Sequence, residues 1–348
     1  MDPNLTVLMS VHNGSAYLHD AIESILDQTF DDFEFLIIDD ASTDNSIEVI
    51  KSFRDQRIKI ITNENNIGLT RSLNKGLGSA RGKYIARMDA DDISLPQRFE
   101  KQVQFLDSHP ETGICGTWVQ TTERSSELIW KYPIDNDNIK CSLIFESAFA
   151  HPSVMMRRQV LADYNLTYSE NFYYAQDYDL WVRCACHTGL ANLSEVLLLL
   201  RQHPAKIGSI SADGQHEAAR RIRCRQIQRF GMLVSEEEYK IHNILSENSA
   251  ICSRPFLEAS GEWLTRLWQS NHTRALYPET AFSQTLAQRW YKLCRSFSEL
   301  GIWTFRTYRR SPLSNFHPYK RNNEIRLFSR CLVRKGYWLR RSQSPPSA

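Results

Sequence analysis

The chain has 348 residues, about two domains at roughly 150 residues each, and is 42% hydrophobic and 24% charged, a balance that excludes a disordered or collagen-like chain. Its net charge of +2 conceals an asymmetry: residues 301–348 carry eleven Lys/Arg against Glu324 alone, a local +10 that leaves residues 1–300 at −8. The longest apolar run, Val196–Leu200, is far short of the roughly 20 residues that span a bilayer. The first residues, Met-Asp-Pro-Asn-Leu-Thr-Val, lack the basic and apolar regions of a signal peptide, so a cytoplasmic location is expected. Eight cysteines without a Cys-x-x-Cys pair suggest neither a zinc ribbon nor a thioredoxin-type centre.

In chain order, Leu5–Val11 reads as a strand, Ala16–Gln28 as an amphipathic helix, and Phe33–Asp39 as a strand. Ser46–Arg54 then reads as a helix, Ile58–Thr62 as a strand, Thr70–Ala80 as a helix and Tyr84–Met88 as a strand. Strands alternating with helices over short loops imply a mostly parallel sheet covered on both faces. Pro96–Ser108 starts with proline in the first turn of a helix. Thr112–Thr121 and Leu128–Tyr132 form a strand pair that makes the sheet mixed, and Val196–Leu200 reads as a late buried strand. Beyond about Gln215 the periodicity is helical, and the Gly208–Gly214 stretch places a domain boundary near residue 212.

Ligands of an open α/β sheet bind beyond the carboxyl ends of its strands. Three polar clusters converge there: Ser10/His12/Asn13, Asp39–Asp44 and Asp89-Ala90-Asp91-Asp92. Strand-to-helix turns collect Asp and Ser as caps, and Asp44 and Ser46 read that way. Capping does not account for Asp89-x-Asp91 after a buried strand. Two carboxylates so close repel unless a cation sits between them. Mg²⁺ and Mn²⁺ take oxygen ligands and complete their shells with water and substrate phosphates, which makes a diphosphate-bearing substrate the natural partner. A dinucleotide fold is excluded because Gly76, Gly78 and Gly82 end a helix instead of opening one, and no Gly-Lys-Ser/Thr exists for a P-loop.

The stretches Val7–Gly14, Ala21–Thr29, Ile37–Asp44, Asn66–Leu69, Ala80–Asp92, His151–Met155, Gln176–Trp181 and Arg201–His203 together resemble a family 2 glycosyltransferase of the GT-A fold, over roughly 60% of the chain. The resemblance implies an inverting transfer from a nucleotide-sugar, of UDP type, to a saccharide acceptor. It assigns Ser10, Val11, His12, Asn13, Asp40, Asn66, Gly68, Asp89 and Ala90 to the nucleotide-sugar, with Asp40 at the base and Asp89 at the ribose. Asp91, with Asp89 and His203, is implied to hold Mn²⁺ or Mg²⁺, and Asp177 to be the general base. Two positions depart from the pattern: His12 replaces an aromatic tyrosine, and Gln176 replaces a glutamate whose charge would raise the pKa of Asp177. His151 is expected to shape the acceptor side, Trp181 to pack and orient the base, and Asp179 to reach acceptor hydroxyls. The opposing reading is a degenerate nucleotide-sugar-binding or scaffold protein, against which stands the retention of Asp89, Asp91 and Asp177 together.

The expected organisation is therefore a mixed-sheet domain over 1–212, with its nucleotide half in 1–110 and acceptor half in 111–212. A helical, basic region follows over 213–348. Glu324–Arg341 reads as a helix with Ile325, Phe328, Leu332 and Leu339 along one side and Arg326, Arg330 and Arg334 along another. Basic and aromatic amphipathic segments suit anionic lipid headgroups. The expectation is peripheral attachment to the inner face of the membrane, with a lipid-linked acceptor; a packed helix is the alternative, and the acidic body argues against nucleic acid.

Overall fold

The computed structural model describes residues 2–122, 128–203, 212–247 and 249–333. Among the described residues nine strands form one sheet: β1 Leu5–Val11, β2 Phe33–Asp39, β3 Ile58–Thr62, β4 Tyr84–Met88, β5 Ile93–Ser94, β6 Thr112–Thr122, β7 Ile129–Trp130, β8 Met155–Arg157 and β9 Gly189–Arg201. Their order is β3-β2-β1-β4-β8-β6-β9-β5, with β7 on β6. The first half is parallel and β8 runs antiparallel to β4 and β6, so the sheet is mixed. Leu5, Val7, Leu8, Met9, Phe35 and Ile37 are fully or almost fully buried. Helices cover both faces of these central strands, which is why they read as continuous apolar runs.

The α-helices described between these strands are α1 Ser15–Leu26, α2 Ser46–Ser52, α3 Leu69–Ser79, α4 Arg98–Ser108, α5 Asn136–Ser142, α6 Arg158–Asp163 and α7 Gln176–Cys184. The helix expected from Pro96 starts two residues later. Pro96 instead lies in a turn whose carbonyl accepts from Thr29 N, while Leu95 O accepts from Gln28 Nε2 and Arg98 N. The late strand is longer than Val196–Leu200, because Asn192 and Glu195 mask a strand that pairs in parallel with β6 and carries bulges beside Thr117 and Trp118. The two short strands β5 and β8 have no periodicity of their own. Gly82, just before β4, is required by close packing: a Cβ there would stand 2.4 Å from Thr6 N and 2.6 Å from Leu5 C.

The chain divides into two compact units, one of residues up to Ile139 with Ser147–Ala218, the other of Lys140–Glu146 with the described chain from Ala219 on. The Gly208–Ser211 part of the expected boundary lies outside the described residues. The second unit is helical, with a core of Phe230, Leu264, Trp263, Phe282, Trp290 and Tyr308. Trp263 Nε1 donates to His242 Nδ1 at 3.2 Å, which leaves His242 Nε2 to donate to Ile144 O. Burial pushes that imidazole down to about 3, so it is neutral.

The last described helix, Lys320–Val333, keeps the expected apolar side of Ile325, Phe328 and Leu332 and packs through a different one. Asn323, Leu327 and Cys331 enter the core, whereas Ile325, Phe328 and Leu332 are exposed. The segment is therefore a packed helix that also presents an apolar stripe outward. Arg334, Tyr337, Trp338, Leu339 and Arg341, part of the expected tail, lie outside the described residues.

Candidate functional site

The loops after β1 and β2 are stitched together by short polar side chains. Asn13 adopts φ +54° and Ala41 φ +55°; Asn tolerates the left-handed region, whereas at Ala it stores strain. Asn13 Oδ1 accepts from Thr43 N at 2.8 Å, and Asn13 N donates to Ser42 Oγ at 3.0 Å. Asp44 spans two helix starts: Oδ2 accepts from Ser15 N of α1, and Oδ1 from Ser46 N and Oγ of α2. These donors hold its carboxyl at about 2 against the burial that opposes them. Ser10 is half-buried, while Val11 buries its side chain in the core and offers its carbonyl to Asp40 N. His12 Nδ1 lies 2.8 Å from Asp40 O, an acceptor only, so Nδ1 carries the proton and Nε2 accepts from Asn13 Nδ2.

Asp40 is buried, and its carboxylate organises the next loop. It accepts from Asn63 Nδ2 at 2.8 Å and from the backbone N–H groups of Ile67 and Gly68 at 2.9 Å each. Burial alone would raise its pKa; the Ile67, Asn63 and Gly68 donors outweigh it and hold the carboxyl below its ordinary value. Gly68, at φ +86°, makes the turn into α3 while Asn66 Oδ1 accepts from its N–H at 3.0 Å.

The third cluster follows β4. Ligand-capable oxygens of Asp89, Asp91 and Asp92 lie within 4.8 Å of one another. Asp92 is fully buried and its Oδ1 accepts from Arg201 N. Beneath these carboxylates are two buried arginines. Arg87, in the middle of β4, pairs with Asp89, and its Nε has no hydrogen-bond partner. Arg98 donates to Arg87 O at 2.7 Å, and burial together with the Arg87 charge pushes its pKa down to about 9. Three carboxylates over two guanidiniums leave a residual negative charge. His203 Nε2 meets Asp91 Oδ2 at 2.8 Å, and its ring lies 4.6 Å from that of Tyr17. The three carboxylates offer hard oxygens that fit a Mg²⁺- or Mn²⁺-sized cation, with His203 bonded to Asp91 at their flank. Ala90 closes the cluster onto the first loop: a Cβ at Gly14 would lie 3.6 Å from Ala90 Cβ.

Asp177 opens α7 after Ala175, which adopts φ +56°. It is fully buried, and no side chain hydrogen-bonds either carboxylate oxygen. Desolvation pushes its pKa up to about 6; the N–H of Tyr178 at the helix start and the Arg87 charge pull it back, and Asp89 pushes with burial. Two other residues near it have settled partners. His151, buried and held neutral by burial, sits 2.8 Å from Tyr168 Oη. Asp179, expected at acceptor hydroxyls, accepts from Arg183 Nε at 2.8 Å on the same helix. Trp181 is fully buried and packs on Phe149 and His151.

The structure thus joins Asp89, Asp91 and His203 in one cluster and Asp40, Asn66 and Gly68 in another. Sequence reasoning missed Arg87 and Arg98. The signal for Arg87 was a charged residue inside the otherwise apolar strand Tyr84–Met88. Arg98 gave none, since an arginine in a first helical turn is ordinary.

The profile described as "Glycosyl transferase family 2" matches residues 6–164. An uncharacterized glycosyltransferase of Haemophilus influenzae is 33% identical over 64% of this chain and 72% of its own length. The O-antigen biosynthesis glycosyltransferase WbnJ of Escherichia coli is 37% identical over 57% of this chain and 80% of its own. Residues 1–349 of Staphylococcus aureus TarS, solved with UDP, superpose with a TM-score of 0.55 at 16% identity, covering 92% of each chain, a likeness of fold. Sheet order, strand-end clusters and homology agree, and the chain is an enzyme belonging to the family 2 glycosyltransferases.

Proposed function

We propose that this glycosyltransferase moves a sugar from a UDP-type nucleotide-sugar to a saccharide hydroxyl, with inversion, in the building of a cell-surface polysaccharide or lipopolysaccharide. The observation that carries the reading is Asp177: a buried carboxylate that no side chain hydrogen-bonds, its pKa drawn up to about 6. That is the state of a general base awaiting a proton donor near neutral pH. Asp177 takes the acceptor's O–H proton as the acceptor oxygen bonds to the anomeric carbon from the face opposite the departing nucleotide diphosphate. Ser10, Val11, His12, Asn13, Asp40, Asn66, Gly68, Asp89 and Ala90 line the donor side, with Asp40 at the base and Asp89 at the ribose. Asp91, Asp89 and His203, joined by Asp92, would hold Mn²⁺ or Mg²⁺, which when bound supplies positive charge to the leaving diphosphate. WbnJ's part in O-antigen biosynthesis supports the choice of pathway class.

The acceptor is lipid-linked in this reading, and the enzyme attaches peripherally to an anionic inner membrane surface. Supporting this, Ile325, Phe328 and Leu332 stand exposed on a helix that also exposes Lys320, Arg321 and Arg326. No helix among the described residues is long and apolar enough to cross a membrane. Hydrolysis of UDP- and GDP-sugars with and without Mn²⁺ tests the donor chemistry. Release of nucleotide that requires Mn²⁺ and is lost in Asp177→Asn is expected; Mn²⁺-independent turnover overturns the metal assignment.

A further inference from the structure

Asn74 has no place in the steps above, yet its side chain joins two distant parts of the first unit. It is half-buried in the middle of α3, where asparagine favours the helix less than alanine or leucine would. Its amide is spent away from its own helix: Nδ2 donates to Tyr168 O at 2.8 Å, and Oδ1 accepts from Tyr168 N at 2.9 Å. A primary amide carries a donor and an acceptor side by side, which lets it hold both backbone groups of one residue at once. Arg71, one turn earlier on the same face, pairs with Glu170 at 2.8 Å, but both side chains are exposed and such a pair contributes little. Asn74 is thus the main tie between α3 and the segment that leads into α7.

From Thr167 and Tyr168 two routes reach α7. Arg183, on α7, donates from Nη2 to Thr167 O at 2.6 Å and from Nε to Asp179 Oδ2 at 2.8 Å. Tyr168 is buried and its Oη lies 2.8 Å from His151 Nε2; the His151 ring in turn stands edge-on to Trp181, at 6.1 Å between centroids. Asp179 and Trp181 share α7 with Asp177. Since no side chain hydrogen-bonds the Asp177 carboxylate, where it stands is set by where α7 stands. The other end of the chain of contacts is the donor loop. Asp40 accepts from Gly68 N at the start of α3, and Lys75 Nζ donates to Asn63 Oδ1 at 2.7 Å. We propose that Asn74 is a positioning residue for transfer: by clamping Tyr168 it refers α7 and the Asp177 carboxylate to the helix that the donor loop fixes. The proposal rests on the reading of Asp177 as the base.

The test follows hydrolysis of UDP-glucose, UDP-galactose and UDP-N-acetylglucosamine by the full chain with Mn²⁺, water standing in for the acceptor. Asn74→Ala should lower kcat by about 10–100-fold, the cost of misplacing a reacting group by about 1 Å. The KM for the UDP-sugar should stay within about twofold, because the donor side is untouched. A second readout needs no turnover. In protein labelled with ¹³C at the aspartate carboxyls, the signal lost in Asp177→Asn identifies Asp177. In Asn74→Ala that signal should titrate lower than in the wild type, because a displaced α7 lets water reach the carboxylate. Asn74→Asp keeps the shape and the acceptor but loses the donor to Tyr168 O, so it should fold and show the same two changes. A lower melting temperature with kcat and the titration unchanged in both variants overturns the proposal and leaves Asn74 a stabilising residue only. A raised KM with kcat unchanged also overturns it and moves Asn74 to the donor side. Asp177→Asn in the same assays separates this inference from the reading beneath it. If that variant hydrolyses at the wild-type rate, the base is another residue, and a shifted titration in Asn74→Ala still upholds the placing of Asp177. If Asp177→Asn is inactive while Asn74→Ala is unimpaired, the placing falls and the base stands.

Discussion

Replacing Asp177 by Asn should make the protein more stable at pH 8 while disabling it. Burial disfavours the charged form of this carboxyl and pushes it up to about 6 in the fold, against an ordinary value of about 3.9. An acid whose folded pKa is raised stabilises the native state below its unfolded pKa and loses that contribution as pH rises through the folded pKa. The window is therefore about pH 4 to 6, and above it the wild type carries a charge penalty of about 3 kcal/mol, since each pKa unit is worth 1.36 kcal/mol. Asparagine carries no charge at any of these pH values. It introduces its own unsatisfied amide, but that cost is the same at every pH. The quantity to measure is the difference in melting temperature between Asp177→Asn and the wild type, from pH 4 to 8, without nucleotide or divalent ion. That difference should rise with pH by several degrees and level off above pH 7, at roughly 2–4 °C per kcal/mol for a unit of this size. Parallel melting curves across the range would refute the account, because they would mean that the carboxylate is solvated or paired in solution. The same variant should still bind UDP-sugar and lose transfer by about 10²–10⁴-fold, the share of a general base.

Four further outcomes are expected. In Asp91→Ala, Mn²⁺ should no longer tighten UDP binding measured by titration calorimetry, with the circular dichroism spectrum unchanged. Arg87→Met strips the buried countercharge from Asp89 and should cost about 3–5 kcal/mol in denaturant unfolding. Asp44→Ala removes the acceptor shared by the starts of α1 and α2 and should cost about 1–2 kcal/mol at pH 7; its depressed pKa means that the wild type loses this advantage as pH falls from about 4 towards 2. Full-length protein should sediment with anionic liposomes at 0.1 M salt and far less at 1 M, where the screening length shrinks to about 3 Å. Ile325→Asp/Phe328→Asp/Leu332→Asp should stay in the supernatant at both, and equal sedimentation of this variant would remove the membrane reading.

The first half of the fold was legible because β1, β2 and β4 are buried on both faces and punctuated by Asp- and Asn-rich turns, so composition alone separates strand from loop. The second half was less so. β8 is three residues long, and β9 hides behind Asn192, whose amide is consumed by Pro133 O and Ala148 O instead of facing water. The acidic cluster could be read as a cation site from spacing, but not the two arginines under it, since burial of a charge is a property of the packed sheet. Nor could the helix Lys320–Val333 be oriented from its periodicity. Its apolar residues occupy two faces, and the choice of Leu327 and Cys331 for the core depends on partners distant in sequence.

On the proposed reading of Asp177 as the base, Arg87 accounts for how so deeply buried a carboxylate could act. With no countercharge, burial of an ionised group in a medium of low dielectric would keep it protonated well above neutral pH. With a direct ion pair it would be too weak a base. Arg87 spends its ion pair on Asp89 and acts on Asp177 only through the field, so the two effects leave the base near 6. A cation held by Asp89 and Asp91 would draw on the charge of Asp89 and leave more of the Arg87 field to favour the ionised form of Asp177. Donor loading would thereby prepare the base, and the acid limb of the pH–rate profile should lie lower for donor-saturated enzyme than for free enzyme. Limbs that coincide would mean that Asp177 is set by burial alone.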